Sequence, residues 1–207
     1  SSGIGAACAV ALAEQGAEVT ICARREPELQ ALAEEMKAEG WQAEILPLDI
    51  TDLAATEGAV AARPAFDVLV NSAGLARHSP AVDTTPEDYD AVTKLNVRAA
   101  YFLTRSVAKG LLAAGKPGSL INITSQMAHV GGIDRAVYSA TKHAVEGMTK
   151  SMAIEWGPHG IRVNTIAPTF IRTALTAQTF ANPARAAWIA SKIKPGRVVE
   201  AEDTMGA

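Results

Sequence analysis

The sequence predicts an α/β protein, a doubly wound parallel sheet within a single domain. Short apolar runs rich in Val, Ile and Leu recur along the chain with little alternation, as in parallel strands that are buried on both faces. Each run is followed by a longer stretch of helical periodicity, and this strand–helix order predicts right-handed crossovers. With 207 residues, of which 48% are hydrophobic, the chain is large enough to bury one core of this kind.

Each element is predicted from its own pattern. The strands are expected at Glu18–Ala23, Ala43–Leu48, Asp67–Asn71, Ser119–Ser125 and Arg162–Ala167. The helices are expected at Glu26–Glu39, Leu53–Ala62, Pro86–Ala114 and Val137–Trp156. Pro27 near the start of the first helix and Gly40 after its end follow the usual asymmetry of helix termini. Thr85 is a suitable N-cap for the third helix, whose first turn is acidic.

The two ends of the chain shape the expected organisation. Ser1 stands directly before a glycine-rich turn, with no strand ahead of it. We therefore expect an internal piece of a longer protein. Residues 1–207 are predicted to form one domain, in which about 173–194 form a mobile lid.

Composition argues against several classes of partner. The formal net charge of −3 gives no electrostatic reason to expect nucleic acid or an anionic membrane surface. The apolar runs are far shorter than the ~20 residues of a membrane helix, so no membrane partner is predicted. Cys8 and Cys22 have neither metal-binding nor redox spacing, which predicts no metal site. They are typical of small core residues in a reducing compartment, and we expect a cytoplasmic protein.

Two glycine-containing turns are candidates for contact with a nucleotide. Ser2-Gly3-Ile4-Gly5 opens an Ala-rich helix, and such a turn lets the backbone approach a pyrophosphate at the helix N-terminus. Asn71-Ser72-Ala73-Gly74 follows a buried strand, at the edge where open α/β sheets bind ligands. Ordinary turn chemistry explains either one equally well.

The segment Tyr138-Ser139-Ala140-Thr141-Lys142 is the sharpest feature. On a helix Tyr138 and Lys142 stand at i and i+4, so they share one face. A nearby ammonium favours the phenolate and lowers the pKa of a tyrosine from its usual value near ~10, which creates an acid–base catalyst. The alternative is a tyrosine that packs against a lysine stem.

Two polar residues are further candidates. Ser125 ends a predicted strand thirteen positions before Tyr138, where its hydroxyl could hold a substrate carbonyl oxygen. A serine at a strand end is also common for structural reasons. Asn96 lies inside a long apolar helix and is either a satisfied core amide or the holder of a water in a proton path.

Together these residues resemble the short-chain dehydrogenase/reductase family, whose fold is Rossmann-type. The resemblance implies that residues 1–207 form one dinucleotide-binding oxidoreductase domain that lacks the first and last strands of the complete fold. The matching residues run from Ser1 to about Thr173 in the family's order. They are the glycine-rich turn, Leu48-Asp49, Asn71-Ser72-Ala73-Gly74, Asn96, Ser125, Tyr138-x-x-x-Lys142, and Pro168 with Thr173. The chain departs from the pattern at Ser72, where the family often has Asn, and at Thr169, where it often has Gly.

The resemblance implies roles for the polar residues. Tyr138 would be the general acid–base, and Ser125 would orient the substrate oxygen. Lys142 would hold the nicotinamide ribose and depress the pKa of Tyr138, while Asn96 would support a water-linked proton relay. The other residues expected to bind the cofactor are Ser1, Ser2, Gly3, Ile4 and Gly5 at the turn, Asp49 and Ile50 at the adenine, Asn71, Ala73 and Gly74 along the adenine ribose, and Pro168, Ile171 and Thr173 at the carboxamide.

The end of the second strand of the family's fold indicates which dinucleotide is bound. NAD-preferring members of the family usually have an acidic residue there, whereas this chain has Arg24 and Arg25. A guanidinium suits a 2′-phosphate through planar, charge-assisted hydrogen bonds. We therefore expect NADP, with NAD as the alternative. Arg24 is the preferred contact and Arg25 a second one, although paired arginines in a loop are often only solvated.

The substrate is less well indicated. Gln126 and His129 follow Ser125 and could bind hydroxyl groups, or His129 could simply pack or face solvent. A polyol, a sugar or a small ketone is the first expectation, ahead of a 3-oxoacyl thioester. The alternative from another class is a dinucleotide-binding regulatory protein without turnover. The presence of all four polar residues at positions 96, 125, 138 and 142 favours the enzyme.

The predicted helix Val137–Trp156 carries a row of small residues. Ala140, Ala144, Gly147 and Ser151 would form a surface that could pack closely against another subunit. We therefore expect a homo-oligomer, and the family resemblance implies a tetramer, with a dimer as the alternative.

Overall fold

The computed structural model describes residues 2–173, 176–194 and 196–206 and confirms the α/β class with parallel sheets. The strands are β1 (Val19–Ala23), β2 (Ala43–Pro47), β3 (Val68–Asn71), β4 (Gly118–Ile123) and β5 (Ile161–Ile166). The helices are α1 (Gly3–Glu14), α2 (Glu26–Ala38), α3 (Leu53–Ala61), α4 (Pro86–Thr93), α5 (Ala100–Ala114), α6 (Ala136–Trp156), α7 (Ala177–Phe180) and α8 (Pro183–Lys192).

The chain divides into two compact units, the first of which combines residues 1–47 with 168–207. Its strands β1 and β2 are parallel, with Val19 opposite Ala43. The apolar stripe of α2 and small residues of α1 build its core, because Ile21 of β1 offers them an apolar surface. The buried members of this core are Ala9, Ala13, Ile21, Leu29, Leu32 and Met36.

The second unit, Leu48–Ala167, contains the sheet β3-β4-β5 with β4 in the centre. Its strands are parallel, so Asn71, Ile123 and Ile166 all end at the same edge. The loops that leave β3 and β4 therefore start side by side. The core below this edge consists of Val107, Ala108, Leu111, Leu120, Met152, Ile161 and Val163.

The helix predicted over Pro86–Ala114 contains an irregular turn. Between α4 and α5 the backbone follows a π-helical path over Lys94–Ala99, and the buried Asn96 lies within it. Single π-turns inside helices are frequent at functional positions. The apolar periodicity predicted the helix but could not reveal the extra residue in this turn.

Two further boundaries differ from the predictions. Strand β4 ends at Ile123, whereas it was expected to include Ser125, and Ser125 instead caps the short 3₁₀ helix Gln126–Ala128. The segment predicted as a lid contains α7 and α8, although no helix was predicted there. Asn182 caps α8 through its side chain, a start signal that the sequence does carry. The single domain and the mobile lid remain predictions.

Candidate active site

Tyr138 and Ser125 are brought together in the second unit. Tyr138 lies in the first turn of α6, and the Ser125 hydroxyl forms a hydrogen bond with its phenol. Ser125 has an extended backbone, and its Oγ accepts a hydrogen bond from the Met127 amide at 3.2 Å. This capping bond fixes the hydroxyl beside the phenol. A carbonyl oxygen placed between the two hydroxyl groups could accept a proton from one and a hydrogen bond from the other.

The pKa of Tyr138 is raised above its ordinary value of 10.0, chiefly because burial disfavours the phenolate. The hydrogen bond from Ser125 and the positive charge of Arg135 act in the opposite direction and lower it. The expected lowering of this pKa by Lys142 is not found. The phenol is therefore protonated at neutral pH, which suits a proton donor to a carbonyl.

Lys142 is deeply buried one turn after Tyr138. Its Nζ donates a hydrogen bond to the Ile123 carbonyl oxygen at 2.9 Å and lies 5.7 Å from the centre of the Tyr138 ring. Burial lowers the pKa of Lys142 from 10.5 to about 8. The i, i+4 spacing correctly predicted that Tyr138 and Lys142 share one face of the helix. The hydrogen bond of the amine, however, goes to the backbone carbonyl at the end of β4 and not to the phenol.

Asn96 connects the loop after β3 to α6. Its Oδ1 accepts from the Leu75 amide at 2.8 Å, and its Nδ2 donates to the Leu75 carbonyl at 2.8 Å and to Thr141 Oγ1 at 3.1 Å. Both amide hydrogens are thus used within the protein, as in a satisfied core amide. The proton relay through Asn96 stays a prediction.

Gly74 lies beside the Lys142 amine and the Asn96 amide at this edge. A Cβ at this position would lie 3.7 Å from both Lys142 Nζ and Asn96 Oδ1. Asn71 holds the same turn, because its Oδ1 accepts from the Ala73 amide at 3.3 Å while its Nδ2 donates to Asn122 Oδ1 at 3.0 Å. A larger residue at position 74 would fill the space beside the buried amine.

In the first unit, two predicted cofactor residues from opposite ends of the sequence meet. Gly3 has a φ of +57°, and a Cβ there would lie 3.2 Å from Thr173 Cγ2. Ser2, the N-cap of α1, makes no capping bond with its side chain, so the first turn of α1 keeps its amides for another acceptor. Ile4 and Gly5 follow within α1, whereas Ser1 lies outside the described residues.

The remaining cofactor candidates of the first unit differ in their exposure and contacts. Arg24 is exposed at the end of β1, and Arg25 forms an ion pair with Glu28 at 2.8 Å. Ile171 is buried and pairs with Val199 in an isolated parallel bridge. Pro168 lies three residues before this bridge, just after β5.

In the second unit, Asp49 and Ile50 form the turn after β2. Asp49 Oδ1 accepts a hydrogen bond from the Thr51 amide at 2.9 Å, and Ile50 is buried. The carboxylate of Asp49 therefore already stabilises its own loop.

A buried carboxylate that the sequence analysis missed lies beneath the active-site edge. Glu146 accepts hydrogen bonds from Thr124 Oγ1 at 2.8 Å and from Thr165 Oγ1 at 3.0 Å. His129, predicted to bind substrate, places its Nε2 3.7 Å from Glu146 Oε1. Gln126 begins the 3₁₀ helix beside Ser125. Glu146 follows Tyr138 and Lys142 at the same spacing of four residues, and this signal could have revealed it.

These features define an α/β protein in which a tyrosine and a serine lie together at the carboxyl edge of a parallel sheet, an arrangement that could transfer a proton to a carbonyl oxygen. A family model described as short chain dehydrogenase matches residues 1–184. The chain belongs to this family of NAD(P)-dependent oxidoreductases.

Relatives and solved structures agree with this assignment. D-erythrulose reductase of Gallus gallus is 37% identical over 205 residues, and L-xylulose reductase of Bos taurus is 36% identical over 203. These alignments cover 99% and 98% of this chain, and 82% of either relative. A proposed 2-deoxy-D-gluconate 3-dehydrogenase from Agrobacterium tumefaciens, solved with bound NADP, superposes with a TM-score of 0.94 at 40% identity. That superposition covers 99% of this chain and 82% of the other.

Proposed function

We propose that this enzyme reduces polyhydroxy ketones with NADPH and that Tyr138 donates the proton. The hydrogen bond between Ser125 and a half-buried, protonated Tyr138 carries this proposal. When bound, the dinucleotide supplies the hydride to the carbonyl carbon. Tyr138 gives its proton to the carbonyl oxygen, which Ser125 holds in place. The product is a secondary alcohol, and the reverse reaction needs the phenolate.

Several groups of described residues fit a dinucleotide. The uncapped first turn of α1 after Ser2 would receive the pyrophosphate, and Gly3 keeps the backbone there accessible. Lys142 would donate to hydroxyl groups of the nicotinamide ribose, and the turn Asn71–Gly74 would contact the adenine ribose. Asp49 with Ile50, and Pro168 with Ile171 and Thr173, are the further contacts that family membership supports.

The substrate class rests on the relatives. D-erythrulose and L-xylulose, named in two of them, are ketoses that carry hydroxyl groups beside the carbonyl. We propose that Gln126 and His129, close to Ser125 in the chain, bind such hydroxyl groups. The choice can be tested by steady-state kinetics with NADPH on ketoses, polyols, small ketones and a 3-oxoacyl thioester. Turnover of the thioester alone would contradict the proposal.

Arg24 is proposed to bind the 2′-phosphate of NADPH. Since charge-assisted hydrogen bonds contribute about 1.5–3 kcal/mol, Arg24→Ala should weaken NADPH binding about 10- to 100-fold and leave NADH binding unchanged. Fluorescence titration of both dinucleotides measures this preference. Lys37→Ala removes another exposed cation of the same unit and serves as the control. Equal binding of NADH and NADPH by the unmodified protein would remove Arg24 from this role and leave Tyr138 and Ser125 unaffected.

We also propose that the protein is a cytoplasmic homo-oligomer that associates through α6. Along α6, the four residues Ala140, Ala144, Gly147 and Ser151 are exposed, and Ile154 is 78% exposed. Gly147→Arg should lower the mass measured by light scattering to that of one chain, since the long side chain would block close packing. A monomeric unmodified protein would contradict this proposal.

Among the described helices, none is both long and apolar enough to cross a bilayer.

A further inference from the structure

Glu146 is a buried charged residue that the proposed proton transfer does not use. It lies on α6, eight positions after Tyr138 and four after Lys142, and its side chain is only 11% exposed. Burying a carboxylate is costly unless its oxygens accept hydrogen bonds, and an apolar side chain of the same size would avoid that cost. The groups that this carboxylate binds therefore indicate what it contributes to the protein.

The two oxygens of Glu146 bind two different strand ends. Oε1 accepts a hydrogen bond from Thr124 Oγ1 at 2.8 Å, and Oε2 accepts one from Thr165 Oγ1 at 3.0 Å. Thr165 lies within β5, whereas Thr124 directly follows β4 and pairs with β5 through its amide, which donates to the Ile166 carbonyl at 2.8 Å. The carboxylate thus fixes α6 to the ends of two neighbouring strands.

The oxygen Oε1 lies next to both ends of the segment that carries Ser125. Within this segment, residues 124–129, Ser125 is the N-cap and His129 the C-cap of the short 3₁₀ helix. Thr124 comes directly before Ser125, and His129 Nε2 lies 3.7 Å from Oε1. A single carboxylate oxygen of α6 therefore contacts the segment on either side of the Ser125 hydroxyl.

The position of Ser125 relative to Tyr138 depends on such contacts, because the two residues lie on different elements. Lys142 supplies one contact between α6 and the end of β4, through the Ile123 carbonyl at 2.9 Å. Glu146 supplies the next, at the residue between Ile123 and Ser125. A displacement of about 1 Å in a reacting group can lower a rate about 100-fold, so the distance between the two hydroxyl groups must be closely controlled.

We propose that Glu146 is a positioning residue, which keeps the Ser125 hydroxyl beside the Tyr138 phenol by fixing the segment 124–129 to α6. The inference rests on the proposed carbonyl reduction and adds a residue that acts through Ser125 rather than on the substrate. Loss of Glu146 is therefore expected to lower kcat and to leave the binding of NADPH unchanged.

Three variants test this expectation in NADPH-dependent reduction of D-erythrulose at pH 7. Glu146→Leu should lower kcat about 10- to 100-fold. Glu146→Gln should stay within about fivefold of the unmodified enzyme, because its amide can still accept from Thr124 and donate to Thr165. Glu155→Leu, the same change at an exposed position of the same helix, is the control. Unchanged kcat in Glu146→Leu would overturn the inference.

A double-mutant cycle separates positioning of Ser125 from general support of the fold. In a Ser125→Ala background the hydroxyl is absent, so Glu146→Leu should lower kcat by less than about threefold further. Losses that multiply in full would mean that Glu146 acts independently of Ser125 and would overturn the inference. Thr124→Val applies the same cycle without removing the buried charge, and it should likewise lower kcat only where Ser125 is present.

A spectroscopic measurement decides the inference without any substrate. The chain has three tyrosines, so the ¹³Cζ resonance of Tyr138 can be assigned in labelled protein by its loss in Tyr138→Phe. Ser125→Ala and Glu146→Leu should move this resonance in the same direction at pH 7, and the double variant should move it no further. A resonance that responds to Ser125→Ala and not to Glu146→Leu would overturn the inference. Absence of ketose turnover by the unmodified enzyme would contradict only the proposed function.

Discussion

Replacing Tyr138 by phenylalanine is expected to lower kcat for carbonyl reduction by about 100- to 10,000-fold, the usual contribution of a positioned acid–base group. Phenylalanine keeps the ring that meets His78 and Lys142 but lacks the proton and the hydrogen bond with Ser125. The hydroxyl of Ser125 alone cannot replace the donated proton, because a serine hydroxyl is a much weaker acid. NADPH binding should remain close to that of the unmodified enzyme.

Steady-state kinetics and fluorescence titration separate these two effects. Tyr89→Phe is a suitable control, since Tyr89 is half exposed on α4 in the same unit. If Tyr138→Phe retained most of the turnover, another group would have to supply the proton. Loss of NADPH binding together with turnover would instead indicate that the phenol supports the cofactor site.

The raised pKa of Tyr138 predicts different pH dependences for carbonyl reduction and alcohol oxidation by the unmodified enzyme. In the proposed mechanism reduction uses the protonated phenol and alcohol oxidation the phenolate, so kcat for reduction should be nearly constant around neutral pH. The kcat for alcohol oxidation should instead increase with pH well into the alkaline range. Because burial is the main cause of the raised pKa, oxidation by this enzyme should be slow at pH 7 even with saturating alcohol.

The sequence predicted the regular elements well, because local periodicity determines them. All five strands and the helices α2, α3 and α6 lie within two residues of their predicted ends. The i, i+4 spacing of Tyr138 and Lys142 likewise predicted their shared face. The burial of a side chain cannot be predicted in this way, since it depends on segments that are distant in the sequence and pack around it. The sequence therefore could not show that desolvation, rather than a charge from Lys142, dominates the pKa of Tyr138.

Contacts between distant segments account for what the sequence did not reveal. Glu146 accepts hydrogen bonds from Thr124, 22 positions earlier in the chain, and from Thr165, 19 positions later. Arg135 and His78, whose side chains are in contact, are 57 positions apart. No local pattern predicts such pairs, because they depend on which strand ends become neighbours in the sheet. The π-turn at Asn96 is another case, since its side chain is held by Leu75 and Thr141 rather than by its own helix.

Lys142→Met should have opposite effects on activity and stability. The ammonium proposed to hold the nicotinamide ribose is removed, so kcat/KM should decrease by at least about 100-fold. Stability should increase, because burial lowers the pKa of Lys142 from 10.5 to about 8 and so penalises the charged amine in the folded protein. That penalty corresponds to about 3 kcal/mol at neutral pH. Loss of the hydrogen bond to Ile123 offsets about 1 kcal/mol, leaving a gain of about 2 kcal/mol.

The pH dependence of this gain identifies its cause. Between pH 8 and 10.5 the folded protein binds fewer protons at Lys142 than the unfolded chain does, so the free energy of unfolding increases with pH across this window. Methionine, which does not titrate, removes that slope. Urea denaturation should therefore show a clear advantage of Lys142→Met at pH 7 that shrinks by pH 10, whereas exposed Lys150→Met on the same helix should show none. An advantage independent of pH would mean that packing, and not the buried charge, limits the stability of the active site.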